Sequence, residues 1–277
     1  MALTAGAAQA LPPVWTVKDA DSELLIFGSV HSLPPGLDWR PPALTSALKT
    51  ADDLWFEIST DTDTQAEVAT LAGAKGVLPP GQSLFKLIPT ADGARLLRVA
   101  KLYGVNPASL DRFEPWLAEV VLATSVDATL NKASAEQGVE KSLAAAAPPA
   151  VRRRSLETPA EQIGFFDETP MPEQIVSLRD TLREIETNPR HFEVLVQAWL
   201  KADLRTIERE ALAPMRRLTP GLYRRVVTDR NARWTKTLQD RLAGAGRTVV
   251  VGGVGHLVGS DGLPERLRAL GYSVTGP

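Results

Sequence analysis

The sequence predicts an α/β fold with a mainly parallel central sheet built from both chain ends and a large helical insertion in the middle. Short apolar runs of strand character lie near both ends of the chain, whereas the pattern from about residue 62 to 243 is nearly all helical. Strands that alternate with helices normally form a parallel sheet covered by helices. The 277 residues are therefore interpreted as one domain, residues 11–277, with its insertion at about 62–243.

The N-terminal elements follow from short local patterns. Residues 15–18 and 23–27 are β-type runs on either side of the turn-forming residues 19–22, which predicts a hairpin. Pro41 and Pro42 open a helical pattern, because proline is favoured in the first turn of a helix. The apolar run 54–56 then predicts a buried strand that ends at Glu57.

The middle and C-terminal elements are predicted in the same way. Thr158 and Glu161 have the spacing of a capping box, which predicts a helix start. The compact basic run 152–154 is interpreted as a solvated surface. Near the C terminus, residues 248–251 form an apolar strand that ends in glycines, and a helix near 263–270 and a last strand around 272–275 follow it.

Composition excludes several classes of protein. The chain has no cysteine, which excludes disulfides, thiolate catalysis and cysteine-ligated zinc. Its formal net charge of -2 argues against a nucleic-acid partner. No apolar run approaches the roughly 20 residues that span a bilayer, so we expect no stable membrane insertion. The sequence does not indicate an oligomeric state.

The first ten residues predict the compartment. Residues 1–10 are small and apolar and end in Ala8-Gln9-Ala10, a pattern typical of signal-peptidase sites. We interpret them as the remnant of a signal peptide and expect a periplasmic or secreted protein. A flexible alanine-rich tail is the alternative.

Two of the three histidines share one local pattern, Gly-x-x-His. His31 follows Gly28 after one predicted strand, and His256 follows Gly253 after another. Open α/β sheets bind ligands at the carboxyl ends of their strands, so both imidazoles are expected to face one cleft. Imidazole is the commonest metal ligand, and Glu57 at a third strand end would add an oxygen ligand or a general base. Either histidine alone could equally be a hydrogen-bonded structural residue.

Other chemistries fit less well. The run 253–259 is glycine-rich and follows a strand, but it has one residue too many for a dinucleotide fingerprint, and too few residues follow it. Neither the serine-hydrolase elbow nor the P-loop motif occurs. His191 lies on a predicted helix and is interpreted as structural or surface-exposed.

At these motifs the sequence resembles the TraB/GumN family, the bacterial relatives of the animal Tiki proteins. The matching segments occur in a consistent order along most of the chain: Trp15, Leu25 to His31 with Leu33-Pro34, Ala51 to Glu57, Gly138-Val139-Glu140, Leu156 to Thr158 with Glu161-Gln162, Arg230-Asn231 with Trp234, and Val251 to Gly259.

The resemblance implies a metal centre with peptidase activity, which in the animal members is attributed to divalent manganese or cobalt. Carried over to this chain, it assigns His31, Glu57 and His256 as catalytic residues and metal ligands. Arg230 and Asn231 match the family's Arg-Asn pair and would bind substrate or orient a metal-bound water; helix packing is their alternative role. The family usually has aspartate where Glu140 stands, so the resemblance assigns Glu140 no role.

The leading hypothesis is a metallopeptidase-like hydrolase that uses a divalent manganese, cobalt or zinc ion and acts on a peptide or protein substrate. Two alternatives remain. One is a non-catalytic protein that binds haem, a metal or a peptide with the same histidines. The other is an accessory protein of polysaccharide export or conjugation.

Overall fold

The computed structural model describes residues 11–277, and its centre is a six-stranded sheet. The strands are β1 (Val14–Lys18), β2 (Ser22–Ser29), β3 (Asp53–Phe56), β4 (Arg152–Ser155), β5 (Gly246–Gly253) and β6 (Ser273–Thr275). Their order in the sheet is β4-β3-β5-β2-β1-β6. The four strands β4, β3, β5 and β2 are parallel, whereas β1 runs antiparallel to both β2 and β6. The α/β fold predicted from the sequence is confirmed.

Helices fill the connections between the strands. The α-helices are α1 (Pro42–Thr50), α2 (Thr62–Lys75), α3 (Leu84–Leu87), α4 (Thr90–Leu102), α5 (Pro107–Leu110), α6 (Pro115–Asn131), α7 (Val139–Ala146), α8 (Pro159–Asp167), α9 (Met171–Thr187), α10 (His191–Leu200), α11 (Leu204–Ile207), α12 (Ala213–Leu218), α13 (Pro220–Tyr223), α14 (Arg230–Leu242) and α15 (Leu263–Ala269). Two π-helical turns, Glu208–Leu212 and Arg224–Asp229, and two 3₁₀ turns, Ala135–Gln137 and Val254–His256, complete the set.

Alternate side chains along the strands belong to two parts of the core, one on each face of the sheet. Phe27 and Val251 pack on the face covered by α1, α7 and α10, whereas Ile26, Trp55 and Val250 pack on the face covered by α14 and α15. Successive side chains of a strand point to opposite faces, so a strand buried on both sides is apolar throughout. The apolar runs of β2, β3 and β5 therefore indicate central strands with helices on both sides.

The helical insertion has an apolar core of its own. Helices α3, α4, α6 and α9 bury a cluster that is separate from the two faces of the sheet. One strand interrupts the insertion: β4 pairs in parallel with β3 at the edge of the sheet. All four of its side chains are exposed, as expected for a basic run, but the backbone forms a strand that the sequence analysis does not predict.

The hairpin of β1 and β2 and the capping box of α8 are both present. The last strand, β6, pairs antiparallel with β1, which itself runs antiparallel to β2. β6 therefore points in the same direction as the parallel strands, as the strand-helix-strand order at the C terminus predicts.

Two expectations concern the chain's relation to membranes. The predicted signal-peptide remnant, residues 1–10, lies outside the described residues, so secretion stays a prediction. Within residues 11–277, no helix combines the length and the apolarity that crossing a bilayer requires.

A partly buried carboxylate in the insertion should make the stability of the protein depend on pH. Glu119 on α6 accepts hydrogen bonds from Ser177 and Thr181 on α9. Burial raises the pKa of Glu119 from 4.5 to about 7, so between these values the unfolded chain ionises while the folded protein stays protonated. The free energy of unfolding should therefore fall by roughly 1 to 3 kcal/mol as the pH rises from 4.5 to 7.

Urea unfolding of Glu119→Gln across this pH range checks the effect. The amide oxygen can still accept both hydroxyl hydrogen bonds but does not titrate, so the variant should gain stability over the wild type as the pH rises. Glu67→Gln, at an exposed position on α2, is the matched control and should follow the wild type. Equal pH profiles for all three proteins would contradict the prediction.

Candidate functional site

The carboxyl ends of the four parallel strands bring the candidate residues to one edge of the sheet. His31 follows β2, Glu57 follows β3, Glu157 follows β4 and His256 follows β5. The two glutamate segments continue the strand pairing, since the backbone N–H of Glu157 donates to the carbonyl of Glu57 at 2.9 Å. The structure therefore brings His31, Glu57 and His256 together at the strand ends, as the sequence predicts.

The absence of a side chain at Gly253 leaves room for the Glu57 carboxylate between the two histidines. A Cβ atom added there would lie 3.2 Å from Glu57 Oε1, 3.6 Å from His31 Nε2 and 3.7 Å from His256 Cδ2. The backbone N–H of Gly253 also donates to Glu57 Oε1 at 2.5 Å. The glycine of the second Gly-x-x-His motif therefore keeps the centre of the site free and orients the carboxylate.

Arg230 connects two buried carboxylates. It donates to both oxygens of Glu157 at 2.8 Å and to Glu57 Oε2 at 2.6 Å. Its guanidinium also lies over the rings of Phe165 and Trp234, with centroid distances of 5.1 and 4.8 Å. Arg230 begins α14, directly after the π-helical turn at 224–229. A bidentate, stacked geometry of this kind is specific to arginine.

Asn231 fixes the protonation of His256. Its Nδ2 group donates to the carbonyls of His256 and Asp261, at 3.0 and 2.8 Å, so its Oδ1 atom accepts from His256 Nδ1 at 2.7 Å. The Nδ1 atom thus carries the proton, which leaves the His256 Nε2 lone pair available. In this structure Arg230 Nη1 donates to that lone pair at 3.0 Å.

Glu140 accepts a hydrogen bond from the Nδ1–H group of His31. The His31 Nδ1–H donates to Glu140 Oε1 at 2.7 Å, and Ser29 Oγ donates to the same oxygen at 2.5 Å. The side chain of His31 is 66% exposed and that of His256 only 8%. One imidazole is thus open to the cavity, while the other is sealed beneath Arg230.

The pKa values of these groups follow from burial and charge. Glu140 raises the pKa of His31 to about 9, so this imidazole is protonated at neutral pH. Burial lowers the pKa of His256 to about 3. Although burial alone would raise it, the pKa of Glu57 falls to about 2, mainly because of Arg230. At neutral pH His256 is therefore neutral and Glu57 is an anion.

The site opens into a cavity of about 210 Å³. His31, Glu57 and Glu140 line it, together with Thr60 and Gln162. The buried or nearly buried carboxylates of the cluster, Glu57, Glu140 and Glu157, outnumber its one buried guanidinium, Arg230. A second arginine, Arg233, is half exposed and approaches Glu157 at 3.8 Å from the surface. The interior of the site is thus rich in negative charge.

Close packing of α7 against the His31 backbone depends on Gly138. A Cβ atom added at this position would lie 2.0 Å from the carbonyl oxygen of His31. Gly138→Ala should therefore push α7 and Glu140 away from His31 and cost about 1 to 3 kcal/mol of stability. Chemical unfolding of the variant measures this cost.

Gly73→Ala is the matched control for this substitution. Gly73 lies inside α2, and a Cβ atom there would meet no other atom within 4 Å, so alanine should stabilise that helix by about 0.5 to 1 kcal/mol. If Gly138→Ala were as stable as the wild type, the close approach of α7 would not be needed.

All five residues predicted from the sequence, His31, Glu57, Arg230, Asn231 and His256, lie in this cluster. His191 does not, and its Nδ1 atom pairs with Glu184 on α9 at 2.6 Å.

Two members of the cluster were not predicted. Glu157 follows β4, a strand that its own sequence does not indicate, and the only signal for it was its place in the matching segment Leu156 to Thr158. Glu140 contacts a residue 109 positions away in sequence, a contact that no local pattern indicates.

The donor chemistry of the cluster fits a divalent metal ion. The Nδ1 atoms of His31 and His256 each have a hydrogen-bond partner, which is the usual arrangement of metal-ligating histidines. The carboxylate of Glu57 lies between the two rings. As the side chains stand, however, no three histidine, aspartate or glutamate residues within residues 11–277 form a ready metal site. The reason is visible at Arg230, which engages Glu57 and His256 at the atoms a metal would use. Binding at His256 requires this guanidinium to withdraw.

A family model and two relatives match this chain over most of its length. A family model described as TraB/PrgY/gumN family matches residues 13–276. The uncharacterized protein YbaP of Escherichia coli (strain K12) is 27% identical over 247 residues, which cover 88% of this chain and 87% of YbaP. YbaP of Shigella flexneri matches with the same identity and the same coverage. No solved structure matches the chain.

Proposed function

The chain belongs to the TraB/PrgY/gumN family, and from this premise we propose that it is a metal-dependent hydrolase of the metallopeptidase type. His31, Glu57 and His256 would hold a divalent ion, which we take to be manganese, cobalt or zinc, and the substrate is a peptide or protein. The observation that carries the proposal is that the Nδ1–H groups of both histidines are held by hydrogen bonds, His31 to Glu140 and His256 to Asn231, so that Nε2 is the metal-binding atom of each. His31 would bind after losing its Nε2 proton, and His256 after Arg230 withdraws.

The charge of the cluster supports a cation as ligand. When His31 gives up its proton to a metal ion, three carboxylates face one buried arginine, and a divalent ion would neutralise the two excess negative charges. Buried charges that lack a partner are costly, so a group that supplies the missing charge is stabilised there.

The residues of the chain have separate tasks in this proposal. When bound, the ion supplies a Lewis acid that polarises the scissile carbonyl and makes water more acidic. Glu57 stays ionised at neutral pH and takes the proton of the attacking water. Arg230 donates hydrogen bonds towards the centre of the site and stabilises the negative charge that develops on the substrate oxygen. Glu140 and Asn231 position the imidazoles.

Metal analysis of histidine variants tests the proposal. Wild type, His31→Ala, His256→Ala and His191→Ala are each equilibrated with manganese, cobalt or zinc, and their metal content and hydrolysis of a fluorogenic peptide library are measured. We expect one metal ion per chain and hydrolysis in the wild type and in His191→Ala. Both should be lost in the other two variants. A wild type without metal, or full activity in His31→Ala, would contradict the proposal.

A second candidate function is binding without turnover, of haem, a metal or a peptide. The observation that favours it is the position of Arg230, which occupies Glu57 and His256 and would leave only the exposed His31 for an incoming ligand. A new absorbance band on addition of haem, without peptide hydrolysis, would identify this function. An accessory role in polysaccharide export or conjugation would give neither the band nor hydrolysis.

A further inference from the structure

The cavity at the site shares lining residues with a larger cavity. A second cavity of about 540 Å³ lies beside it, and Thr60 and Lys141 line both. Small-molecule pockets are typically about 300 to 1,000 Å³ in volume, so the 210 Å³ cavity at the site is small by itself. A ligand that reaches Glu57 and His31 therefore has room to extend into the larger cavity.

Both apolar and polar residues line the larger cavity. Leu37, Trp39 and Ala144 are among the apolar ones, and Gln137 and Ser142 are among the polar ones. It lies along α7, the same helix that carries Glu140 to His31. A group bound there would thus be held at a fixed distance from the chemistry.

Lys141 determines the charge that this cavity prefers. Among residues 11–277, it is the only lysine or arginine that lines either cavity. Its ammonium pairs with Glu136, whose side chain is 72% exposed. An ion pair at the surface contributes little stability, so a carboxylate of a ligand can replace Glu136. The carboxylates at the site repel a second anion, whereas Lys141, which lines both cavities, attracts one.

We propose that the larger cavity is a specificity subsite in which Lys141 binds a carboxylate of the substrate. The ligand is a substrate that carries an acidic group on one side of the scissile bond, either an acidic side chain or the C-terminal carboxylate of a peptide. This inference rests on the proposed hydrolase function, because it takes the occupant of the cavity to be the molecule that is cleaved.

Binding of three dye-labelled hexapeptides tests the subsite by fluorescence anisotropy. The first carries glutamate within the sequence and an amidated C terminus; the second carries glutamine and a free C terminus; the third carries glutamine and an amidated C terminus. We expect the wild type to bind the first or the second at least 10-fold more tightly than the third. The tighter of the two identifies the source of the carboxylate.

Four variants separate the subsite from general effects. Lys141→Met should abolish the preference for the acidic peptide, and Ala145→Trp, at an exposed position in the lining, should weaken its binding by filling the cavity. Glu136→Gln removes the competing carboxylate and should strengthen its binding several-fold, a gain that a purely structural role for the pair does not predict. Lys101→Met, at an exposed position on α4, should match the wild type.

The outcomes distinguish this inference from the proposed function. Equal binding of all three peptides by the wild type, or a preference that survives Lys141→Met, overturns the subsite. Cleavage of the peptides without any preference for charge overturns the subsite and leaves the hydrolase. Selective binding through Lys141 without any cleavage supports a carboxylate site at Lys141 but contradicts the hydrolase, and with it the assignment of the bound molecule as a substrate.

Discussion

Replacing Arg230 with methionine should lower the free energy of unfolding by about 3 to 5 kcal/mol, because it leaves buried carboxylates without their partner. Arg230 is 5% exposed, and the carboxylates of Glu57 and Glu157 both depend on its N–H groups. Methionine retains much of the apolar contact with Trp234, so the loss is mainly electrostatic. Urea unfolding followed by circular dichroism at neutral pH measures it.

Arg233→Met is the matched control for this prediction. Arg233 lies one turn further along α14 and over the same Phe165 ring, but it is half exposed and 3.8 Å from Glu157. Exposed ion pairs contribute about 0 to 1 kcal/mol, so this variant should lose no more than that. Removing a carboxylate as well, as in Arg230→Met with Glu157→Gln, should recover part of the stability. A similar loss in both arginine variants would show that burial of the charge is not the cause.

The second large effect is expected at Glu57. Glu57→Gln should lower kcat by about 10²- to 10⁴-fold, because the amide neither takes a proton nor supplies the negative charge of the carboxylate. The glutamine oxygen can still accept from the Gly253 N–H, and Arg230 keeps both bonds to Glu157, so the variant should fold. Steady-state hydrolysis of the best peptide from the library, with circular dichroism as the check on folding, measures this effect.

Asp63→Asn is the control for the loss of a carboxylate near the end of β3. Asp63 is exposed in the first turn of α2 and does not line the cavity at the site. We expect its kcat to stay within about twofold of the wild-type value, as surface substitutions away from a site usually cause small changes. Retention of activity in Glu57→Gln would remove Glu57 from the mechanism.

The central strands were predictable because their physical cause is local. Leu24 to Phe27 and Val249 to Val251 are apolar at every position, the pattern of strands covered on both faces. The edge strand β4 has no such pattern, since its side chains are exposed and three of them are arginines. It is held by its pairing with β3 and by Asp53, which accepts hydrogen bonds from Arg152 and Arg154. A strand that depends on a partner about 100 residues away leaves no signal in its own sequence.

Some residues of the candidate site were likewise predictable from local sequence, and others were not. His31, Glu57 and His256 were predicted to meet because each follows a recognisable strand, and parallel strands end at one edge. Glu157 follows β4, so it was missed together with that strand. The role of Glu140 depends on Gly138, which lets α7 approach the His31 backbone, and that proximity exists only in the folded chain.

The position of β5 in the sheet has a consequence for how the protein is made. β5 lies between β3 and β2, although it leaves the ribosome almost 190 residues after β3. At about 5 to 20 residues per second, β2 and β3 then wait on the order of 10 to 40 s for the strand that joins them. During this time both expose unpaired edges that could pair with other chains. A nascent chain of this protein is therefore expected to depend on chaperones until its C-terminal segment has been synthesised.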